Sequence, residues 1–439
     1  MPKQDTHTLI LARWIIPVVP PETCLEDHAL VIADERIVDL LPQAEAIKNY
    51  PQAKHAQLDH HIVIPGLINA HGHAAMTLLR GYSDDRELMD WLENHIWPVE
   101  GRFVDYDFAY DGTTLAIAEM IRTGTTCAVD TYFFPDATAR AYTDHHFRAQ
   151  VCLPVIQFSN AWAASEQEHI DKALALHAEL KSNELVKTAF APHAPYTVTD
   201  DALREIGKQS AQLDIPIHLH LHETATEVKT AVANSGQRPM ARISALGLLS
   251  PRMQTVHMTQ LSDEEISQLA ECGAHVVHCP ESNMKLASGL CRVNDLMQAG
   301  VNVALGSDGA ASNNNLDMLE EMRSAALMAK VVAMDATALN AHEALSIATI
   351  NGARMIGMEA EIGSLEIGKQ ADITAVDVSS LNFQPMHHPI SQLVYTATGH
   401  QVTDVWIRGQ RLLANREFTQ LDADRLRDKV DQWFKRMQT

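Results

Sequence analysis

The chain has 439 residues, with 34 Lys and Arg against 56 Asp and Glu, so its formal net charge is −22. This balance argues against nucleic acid or an anionic membrane surface as a partner, because both require a basic face. Hydrophobic residues make up 46% and charged residues 21%, which is ordinary for a globular protein and argues against large-scale disorder. The unusual figure is 23 His, since neutral imidazole is the commonest metal ligand.

The six cysteines are scattered along the chain without a Cys-x-x-Cys pair, which is typical of reduced thiols in a cytosolic protein. The apolar run at residues 9–19 is interrupted by Arg13 and Pro17 and lacks a small-residue cleavage site. It is also too short to span a bilayer, and no other apolar run approaches ~18 residues. We therefore expect a cytoplasmic protein.

The first sixty residues predict β-strands. Segments 8–19 and 28–40 are rich in Val, Ile and Leu, and the polar residues 34–36 form a turn between two apolar stretches. A helical period does not begin before Gln43. The N-terminal part of the chain is therefore predicted to be a β unit.

From residue 62 onward, short apolar runs alternate with longer helical stretches. The runs cover residues 62–69, 125–131, 149–156, 186–191, 215–221, 254–258, 274–278 and 301–306. Eight such alternations over ~250–300 residues favour a closed parallel (β/α)8 barrel of the TIM type. The alternative is an open doubly wound sheet, which normally has a Gly-rich turn after its first strand. The sequence contains no G-x-G-x-x-G or Walker-type loop.

A strand-like pattern returns after Gly357, where residues 363–377 and 402–413 predict short strands joined by Gly turns. Both ends of the chain are therefore β, and we predict one small β-sandwich formed from both termini. The predicted units are residues 1–61 (N-terminal half of the sandwich), 62–358 (barrel) and 359–439 (C-terminal half plus a terminal helix). In that helix Leu426, Val430, Trp433 and Met437 form one apolar stripe, which predicts packing rather than a partner site.

Most of the chemistry-bearing residues follow the predicted barrel strands. Strand one ends in His71 and His73, strand five in His218, His220, His222 and Glu223, strand six in His257, strand seven in His278, and strand eight in Asp308. In a barrel the C-terminal ends of the strands meet at one mouth, where the chemistry of this fold takes place.

The His-x-His pair of strand one predicts a metal site. Side chains alternate between faces along a strand, so His71 and His73 project to the same side and can bind one ion. One such pair is more often two unrelated histidines, but its occurrence together with His220, His257 and Asp308 favours the metal. Three imidazoles and a carboxylate suit zinc, with one position open for water, whose pKa the ion lowers to about 7.

Two carboxylates near these histidines suit proton transfer. Glu223 could carry a proton to the leaving side of a substrate, and Asp308 could bind the metal and also accept a proton from the attacking water. On strand five, His218, His220 and His222 are two residues apart and would all project to the same face. Periodicity therefore does not show which of them is the metal ligand, although His218 would lie deepest.

Five motifs taken together resemble a known family. They are PGLINAHGH (residues 65–73), HLHET (220–224), HCPESNMKLASG (278–289), LGSDGAASNNNLDM (305–318) and GSLEIGKQADITAVD (363–377). They resemble the amidohydrolase superfamily, and most of all its aminohydrolase branch, which includes 5′-methylthioadenosine/S-adenosylhomocysteine deaminases and triazine hydrolases. The similarity runs nearly from end to end.

This resemblance implies a (β/α)8 barrel with one divalent metal ion, usually zinc and sometimes iron. The family's metal positions correspond to His71, His73, His220 and Asp308, and its His-x-x-Glu pattern pairs His220 with Glu223. The catalytic residues implied are Glu223, Asp308 and His257, with His257 contacting the hydrolytic water rather than the metal. Strand four ends without the lysine that bridges two metals, which implies a mononuclear site.

The resemblance also implies substrate contacts. Glu100 corresponds to a residue that binds ribose hydroxyls, and His193 to a histidine that contacts the substrate, as Glu223 and Asp308 also do. From residue type alone, Glu100 would be a solvated charge and His193 a buried structural histidine. The sequence departs from the pattern of this family in residues 149–171, which contain no Lys or Arg. Relatives that accept S-adenosylhomocysteine have arginines there.

The expected reaction is hydrolytic deamination of 5′-methylthioadenosine to S-methyl-5′-thioinosine and ammonia, with adenosine and S-adenosylhomocysteine as the other candidate nucleosides. The departure at residues 149–171 predicts that S-adenosylhomocysteine is the poorer substrate. The alternatives are deamination or dechlorination of a free base or triazine (guanine, cytosine or an s-triazine), and a non-catalytic barrel scaffold. A homo-oligomer that binds a small nucleoside is expected, with neither nucleic acid nor membrane as a partner.

Overall fold

The computed structural model describes residues 7–438. The first six residues of the predicted N-terminal unit, and Thr439 of the predicted C-terminal unit, lie outside the described residues. The strands, in chain order, are β1 (Thr8–Ile15), β2 (Leu25–Ala33), β3 (Arg36–Pro42), β4 (Lys54–Pro65), β5 (Leu67–Gly72), β6 (Thr125–Thr131), β7 (Arg148–Val155), β8 (Val186–Pro192), β9 (Ile217–Leu221), β10 (Met253–His257), β11 (His275–His278), β12 (Asn302–Leu305), β13 (Ile373–Asp377), β14 (Val402–Ile407), β15 (Gln410–Ala414) and β16 (Glu417–Phe418).

Most of the helices lie between β5 and β13. They are α1 (Gln43–Asn49), α2 (Leu88–Trp91), α3 (Trp97–Phe103), α4 (Tyr106–Arg122), α5 (Pro135–Asp144), α6 (Glu166–Leu180), α7 (Asp200–Leu213), α8 (Ala225–Ser235), α9 (Pro239–Ala245), α10 (Asp263–Cys272), α11 (Pro280–Lys285), α12 (Val293–Gln298), α13 (Ala310–Asn313), α14 (Met318–Ala333), α15 (Ala341–Ile347), α16 (Ile350–Met355), α17 (Pro389–Tyr395) and α18 (Ala423–Met437). A π-helical turn, Leu92–Ile96, separates α2 from α3.

The barrel is built from β5 to β12, which pair in parallel and in sequence order. The two end strands come together at a seam. There the Asp308 backbone N–H donates to His71 O at 3.0 Å, and the Ser307 N–H donates to Asn69 Oδ1 at 3.0 Å. The Asn69 amide returns a bond to Ser307 Oγ at 2.7 Å. The predicted (β/α)8 barrel is therefore confirmed, and its seam lies directly beside the histidines of strand one.

The second sheet, here called the terminal sheet, contains strands from both ends of the chain, in the order β16-β15-β14-β13-β4-β1-β2-β3. It curls back on itself, because Ile37 N–H in β3 donates to Lys369 O shortly before β13. The enclosed core includes Ile10, Leu30, Val63 and Trp406. The expected β unit formed from both termini is therefore confirmed.

Gly66 divides the first predicted run in two. Residues 62–65 continue β4, where Pro65 pairs with Ile373, and the barrel begins only at Leu67. A Cβ at position 66 would lie about 2.0 Å from Thr126 Oγ1, so only glycine lets the chain pass this close to β6. The prediction of one continuous strand over residues 62–69 was wrong for this reason.

The structure also tests the strand predicted in residues 363–377 and the packing predicted for the C-terminal helix. Within residues 363–377 only Ile373–Asp377 is a strand, so the prediction of strand structure from residue 363 was wrong. The preceding residues form turns, in which the backbone of Gly368 and Lys369 bonds to Ile37 in β3 and the Leu365 N–H donates to Pro17 O. The tail helix is present as α18. Its Leu426 and Trp433 are buried, and the ring of Trp433 packs edge-on against Phe108 of α4 with 5.2 Å between centroids, which confirms the packing prediction. Across residues 7–438, none of the helices is both long and apolar enough to cross a bilayer.

Candidate active site

The carboxyl ends of four barrel strands bring five side chains to one mouth. His71 and His73 come from β5 and its end, His220 from β9, His257 from β10, and Asp308 from the turn after β12. The ring centroids of His71 and His220 lie 4.9 Å apart, and those of His220 and His257 lie 5.6 Å apart. The structure therefore brings together these five of the residues that the sequence predicts at the strand ends, whereas His278 at the end of β11 is in neither group of close ligand atoms among the described residues.

The protonated nitrogens of two of these histidines are fixed by backbone carbonyls. His73 Nδ1 lies 2.5 Å from Thr131 O, and His220 Nδ1 lies 2.7 Å from His193 O. A carbonyl oxygen can only accept, so both Nδ1 atoms carry the hydrogen in the neutral rings. The Nε2 atoms of His73 and His220 are therefore left with lone pairs that face the mouth.

These lone pairs fit a metal ion. His71 Nε2 lies 3.3 Å from His220 Nε2 and 3.4 Å from Asp308 Oδ1, while His73 Nε2 lies 3.2 Å from Asp308 Oδ1. Ligand atoms about 2.0–2.1 Å from a tetrahedral zinc ion are about 3.3–3.4 Å apart. Among the described residues, groups with suitably close ligand atoms are His71 with His73 and Asp308, and His71 with His220 and His257.

Asp308 is held by hydrogen bonds that sequence reasoning missed. Its Oδ2 accepts from Ser282 Oγ at 2.5 Å and from Ser312 Oγ at 2.9 Å, and Oδ1 accepts from the Gly309 N–H at 2.8 Å. Burial alone would raise the pKa of Asp308, but its contacts with His71 and His73 hold that pKa well below the usual range. Asp308 is therefore an anion that can both bind a cation and accept a proton.

Asp308 and His257 share an uncommon backbone conformation. Their φ angles are +62° and +74°, which lie in the left-handed region that side-chain-bearing residues seldom adopt. The sharp turn at each position directs the side chain inward over the barrel mouth. His257 Nδ1 lies 2.9 Å from Asn283 Oδ1, so His257 Nε2 is free to accept a hydrogen bond inside the site.

Glu223 lies next to His257, with 3.8 Å between Glu223 Oε1 and His257 Nε2. Burial raises the pKa of Glu223 above its ordinary value, although the neighbouring His257 opposes this effect. The turn that carries Glu223 is fixed by Glu227, whose carboxylate accepts from the backbone N–H groups of His222 (3.1 Å) and Glu223 (2.7 Å). A carboxyl group that keeps its proton to higher pH and cannot move freely suits general acid catalysis.

Glu100 lies on α3, over the mouth of the barrel. Tyr132, which follows β6, donates its hydroxyl to Glu100 Oε1 at 2.7 Å. Burial raises the pKa of Glu100 to about 7, although the Tyr132 hydrogen bond acts in the opposite direction. A role for Tyr132 was not predicted from the sequence. The only signal for it in the sequence is its position directly after Thr131, the last residue of β6.

His193 lies at the end of β8 and is neutral at pH 7, because burial lowers its pKa to about 4. Its Nδ1 lies 3.1 Å from Thr197 Oγ1, which itself donates to Ala194 O at 3.1 Å. Thr197 therefore accepts from His193 Nδ1–H, and His193 Nε2 can accept a hydrogen bond from a donor in the cavity.

The three histidines of strand five have different positions. His220 faces the mouth, whereas His218 is buried below it and bonds to His71. His222 leaves the strand at φ +53°, and its Nε2 accepts from the Met240 N–H at 3.1 Å, away from the site. The turn after β9, rather than the strand periodicity, separates His222 from the other two.

Around these residues lies a cavity with a mostly apolar wall, which includes Trp91, Trp97, Phe133 and Leu286. It continues past Trp97 and Glu100 into a side cavity of about 640 Å³. The side cavity, here called the aromatic annex, is lined by Phe133, Phe134, Phe158 and their neighbours, with Glu100 as its one charged residue among those described. The site therefore has a polar floor at the barrel mouth and a lateral extension whose described lining is largely aromatic and contains no Lys or Arg.

Comparison with known proteins identifies the family of the chain. The model of the amidohydrolase family matches residues 62–412. A protein of Teredinibacter turnerae named 5-methylthioadenosine/S-adenosylhomocysteine deaminase is 48% identical over 96% of each chain. The crystal structure of an adenosine deaminase from Xanthomonas campestris with bound zinc is 50% identical over 99% of each chain, with a TM-score of 0.96. The zinc complex of atrazine chlorohydrolase TrzN from Arthrobacter aurescens shares the fold at 22% identity, covering 97% of this chain and 99% of that one (TM-score 0.90). On the matched length and these identities, the chain belongs to the amidohydrolase family.

Proposed function

We propose that the protein is a zinc-dependent hydrolase that deaminates the adenine ring of a nucleoside. The substrate supported best is 5′-methylthioadenosine, which would give S-methyl-5′-thioinosine and ammonia. The observation that carries this proposal is the set of contacts of 3.2–3.4 Å that connects the Nε2 atoms of three histidines and Asp308 Oδ1, beside a carboxyl group of raised pKa, Glu223. The name of the Teredinibacter relative and the bound zinc of the Xanthomonas deaminase support the same reaction.

The metal would be bound by His71, His73, His220 and Asp308, where it supplies a Lewis acid that makes water a nucleophile near pH 7. The protein's own groups manage the protons. Protonated Glu223 donates to ring N1 as water attacks C6, and Asp308 accepts a proton from that water. His257 Nε2 accepts a hydrogen bond from the same water and orients it.

The proton balance closes with no other reagent. One water contributes two hydrogens, and the products require one on ring N1 and one on the departing amine. Glu223 loses its proton to N1 and recovers one when the C6 oxygen becomes a carbonyl. The proton accepted by Asp308 passes to the amine, which leaves as ammonia.

The wall of the cavity would orient the nucleoside. Carboxylate oxygens are good acceptors for two adjacent hydroxyls, so Glu100 suits the ribose 2′ and 3′ positions. The 5′ substituent would then point into the aromatic annex, beside Phe133 and Phe158. His193 Nε2 would accept from a further donor on the substrate.

The direct test is ammonia release by the zinc-loaded enzyme from a panel of substrates. The panel contains 5′-methylthioadenosine, adenosine, S-adenosylhomocysteine, guanine, cytosine and an s-triazine. The thioether nucleoside is expected to give the highest kcat/KM. Turnover of a free base or triazine alone would contradict the proposal, and absence of any turnover would favour the scaffold alternative.

Glu100→Ala is expected to lower kcat/KM for 5′-methylthioadenosine by about 10- to 150-fold. This corresponds to about 1.5–3 kcal/mol for the lost charged acceptor. A matched substrate, 2′,3′-dideoxyadenosine, lacks the diol and should be affected little by the same substitution. An equal loss for both substrates would assign Glu100 a role other than ribose binding.

The KM for the nucleoside is expected to rise as pH falls through about 7. Burial raises the pKa of Glu100 to about 7, so the carboxylate form that accepts most strongly is present above that pH and is lost below it. The difference between a charged and a neutral acceptor is about 1 kcal/mol, which is about fivefold in KM. Steady-state KM from about pH 8 to about pH 6 measures the effect. Glu100→Gln should flatten the profile, and a persistent slope in that variant would point to another group.

S-adenosylhomocysteine is expected to be at least about tenfold poorer in kcat/KM than 5′-methylthioadenosine. Its amino acid carboxylate would enter the aromatic annex, where the described lining offers no Lys or Arg and burying an unpaired charge is costly. Phe158→Arg should narrow the gap by adding a cation to this wall. Comparable kcat/KM values for the two nucleosides in the unaltered enzyme would contradict the prediction.

A further inference from the structure

Three polar side chains fill the barrel interior beneath His71, where a barrel of this kind normally packs branched apolar residues. His218 on β9, Gln254 on β10 and Gln150 on β7 are each at most 1% exposed. They form a continuous chain of hydrogen bonds that begins at His71 and ends at the backbone of Met355. Such a buried polar chain is costly unless every member is paired, so a specific role is expected.

The direction of these bonds follows from one backbone carbonyl. Met355 O can only accept, so the Gln254 atom that lies 2.9 Å from it is the amide nitrogen. Gln254 Oε1 therefore faces the barrel interior, where it lies 3.0 Å from His218 Nδ1 and 2.8 Å from the Gln150 amide nitrogen. Both neighbours donate to this oxygen, so His218 Nδ1 carries the hydrogen.

The direction of the hydrogen bond between His218 and His71 follows from the hydrogen on His218 Nδ1. A neutral imidazole with a hydrogen on Nδ1 has a lone pair on Nε2, so His218 Nε2 is an acceptor. It lies 2.8 Å from His71 Nδ1, which must therefore donate, and the two rings are nearly parallel at 23°. His71 Nε2 is then the lone-pair atom, and it is the atom that faces His220 Nε2 and Asp308.

We propose that His218, oriented by Gln254, is a positioning residue that fixes the tautomer and ring orientation of His71 for metal binding. Backbone carbonyls bond to Nδ1 of His73 and of His220 and fix those rings in the same way. Among the described residues, no backbone carbonyl is bonded to His71 Nδ1, whose partner is His218. His218 thus supplies with a side chain what the other two ligands obtain from the main chain. This inference rests on the metal site of the proposed function.

The test compares two substitutions at one position. His218→Leu removes the acceptor, whereas His218→Gln keeps an oxygen for His71 and an amide for Gln254. Outer partners of metal-binding histidines typically contribute about 10- to 100-fold in affinity. The zinc dissociation constant of each apoprotein is measured by competition with a chromophoric chelator. We expect His218→Leu to bind zinc about 10- to 100-fold more weakly and His218→Gln to recover most of this loss.

A control separates metal positioning from simple packing. Thr255 lies on β10 next to Gln254, and its hydroxyl donates to His275 O on β11 at 2.9 Å, outside the chain from His71 to Met355. Thr255→Val removes this hydrogen bond. It is expected to lower apoprotein stability without changing zinc affinity. If His218→Leu does not fold, Gln254→Leu replaces it, because it frees His218 to adopt the other tautomer. Zinc affinity within about threefold of the unaltered protein in His218→Leu, or in Gln254→Leu as its substitute, would overturn the proposal.

The outcome can be read apart from the proposed reaction. Zinc affinity needs no substrate, so a protein that binds zinc and loses it through His218→Leu supports the positioning role even if no nucleoside is turned over. An unaltered protein that binds no zinc would overturn this inference and the metal site together.

Discussion

Glu223→Gln is expected to leave the zinc content unchanged and to lower kcat by about 10²- to 10⁴-fold. Glutamine has the same shape but no proton to transfer, so the substitution removes the acid function alone. Burial raises the pKa of this carboxyl group, although His257 opposes the effect, and a raised pKa is the direction that general acid catalysis requires. It lies near His257 and outside the set of Nε2 and Asp308 atoms that would bind the metal.

The measurement is single-turnover deamination, with zinc determined on the same samples. Glu205→Gln, a substitution on the outer helix α7, provides a matched control with the same chemical change. It is expected to have unaltered kcat. If Glu223→Gln retained near wild-type turnover at full zinc occupancy, Glu223 would not be the general acid, and the proton path described above would be wrong.

Arg148→Met is expected to lower the free energy of unfolding by about 3–5 kcal/mol, because it leaves a buried carboxylate without its partner. Arg148 begins β7 and forms a two-pronged ion pair with Asp372, at 2.8 Å and 3.2 Å. Both side chains are almost inaccessible, at 1% and 2%. Asp372 immediately precedes β13, so this ion pair joins the barrel to the terminal sheet.

Denaturant unfolding measures the loss, and Arg427→Met is the control. Arg427 pairs with Asp424 on the exposed face of α18, where removing an ion pair changes stability by less than about 1 kcal/mol. The double variant Arg148→Met/Asp372→Asn should recover part of the loss, because an amide still accepts from the Arg408 N–H without leaving a charge unpaired. Equal effects in Arg148→Met and Arg427→Met would contradict the argument.

The parts of the site that could be predicted from sequence depend on local periodicity. His71, His73, His220, His257 and Asp308 each follow an apolar run, and strand ends converge in any closed barrel. The family resemblance, rather than the pattern, selected His220 among the three histidines of strand five. The structure gives the physical reason, because a left-handed turn at His222 carries that ring to Met240.

The parts that could not be predicted depend on long-range contacts. The Pro65-Gly66 pair is a local signal for a break within residues 62–69. That the chain passes from one sheet to the other there depends on the pairing of Pro65 with Ile373 and on the close approach to Thr126, which the sequence does not show. Likewise, the bond from Tyr132 to Glu100 exists only because α3 lies over the mouth. The hydrogen bonds from Ser282 and Ser312 to Asp308 also join segments that are distant in sequence or lie beyond the strand end.

The left-handed backbone at His257 and Asp308 has a consequence for protein engineering. A residue with a Cβ in this conformation costs about 1–2 kcal/mol relative to glycine, which adopts it freely. Glycine at either position would relieve this strain, but it would also remove the contact of His257 with Asn283 or the hydrogen bonds of Asp308 with Ser282 and Ser312. Truncating a buried side chain and leaving a cavity typically costs about 2–5 kcal/mol, which exceeds the strain relieved. Redesign for thermal stability should therefore leave positions 257 and 308 unchanged, although their backbone conformation alone would suggest glycine.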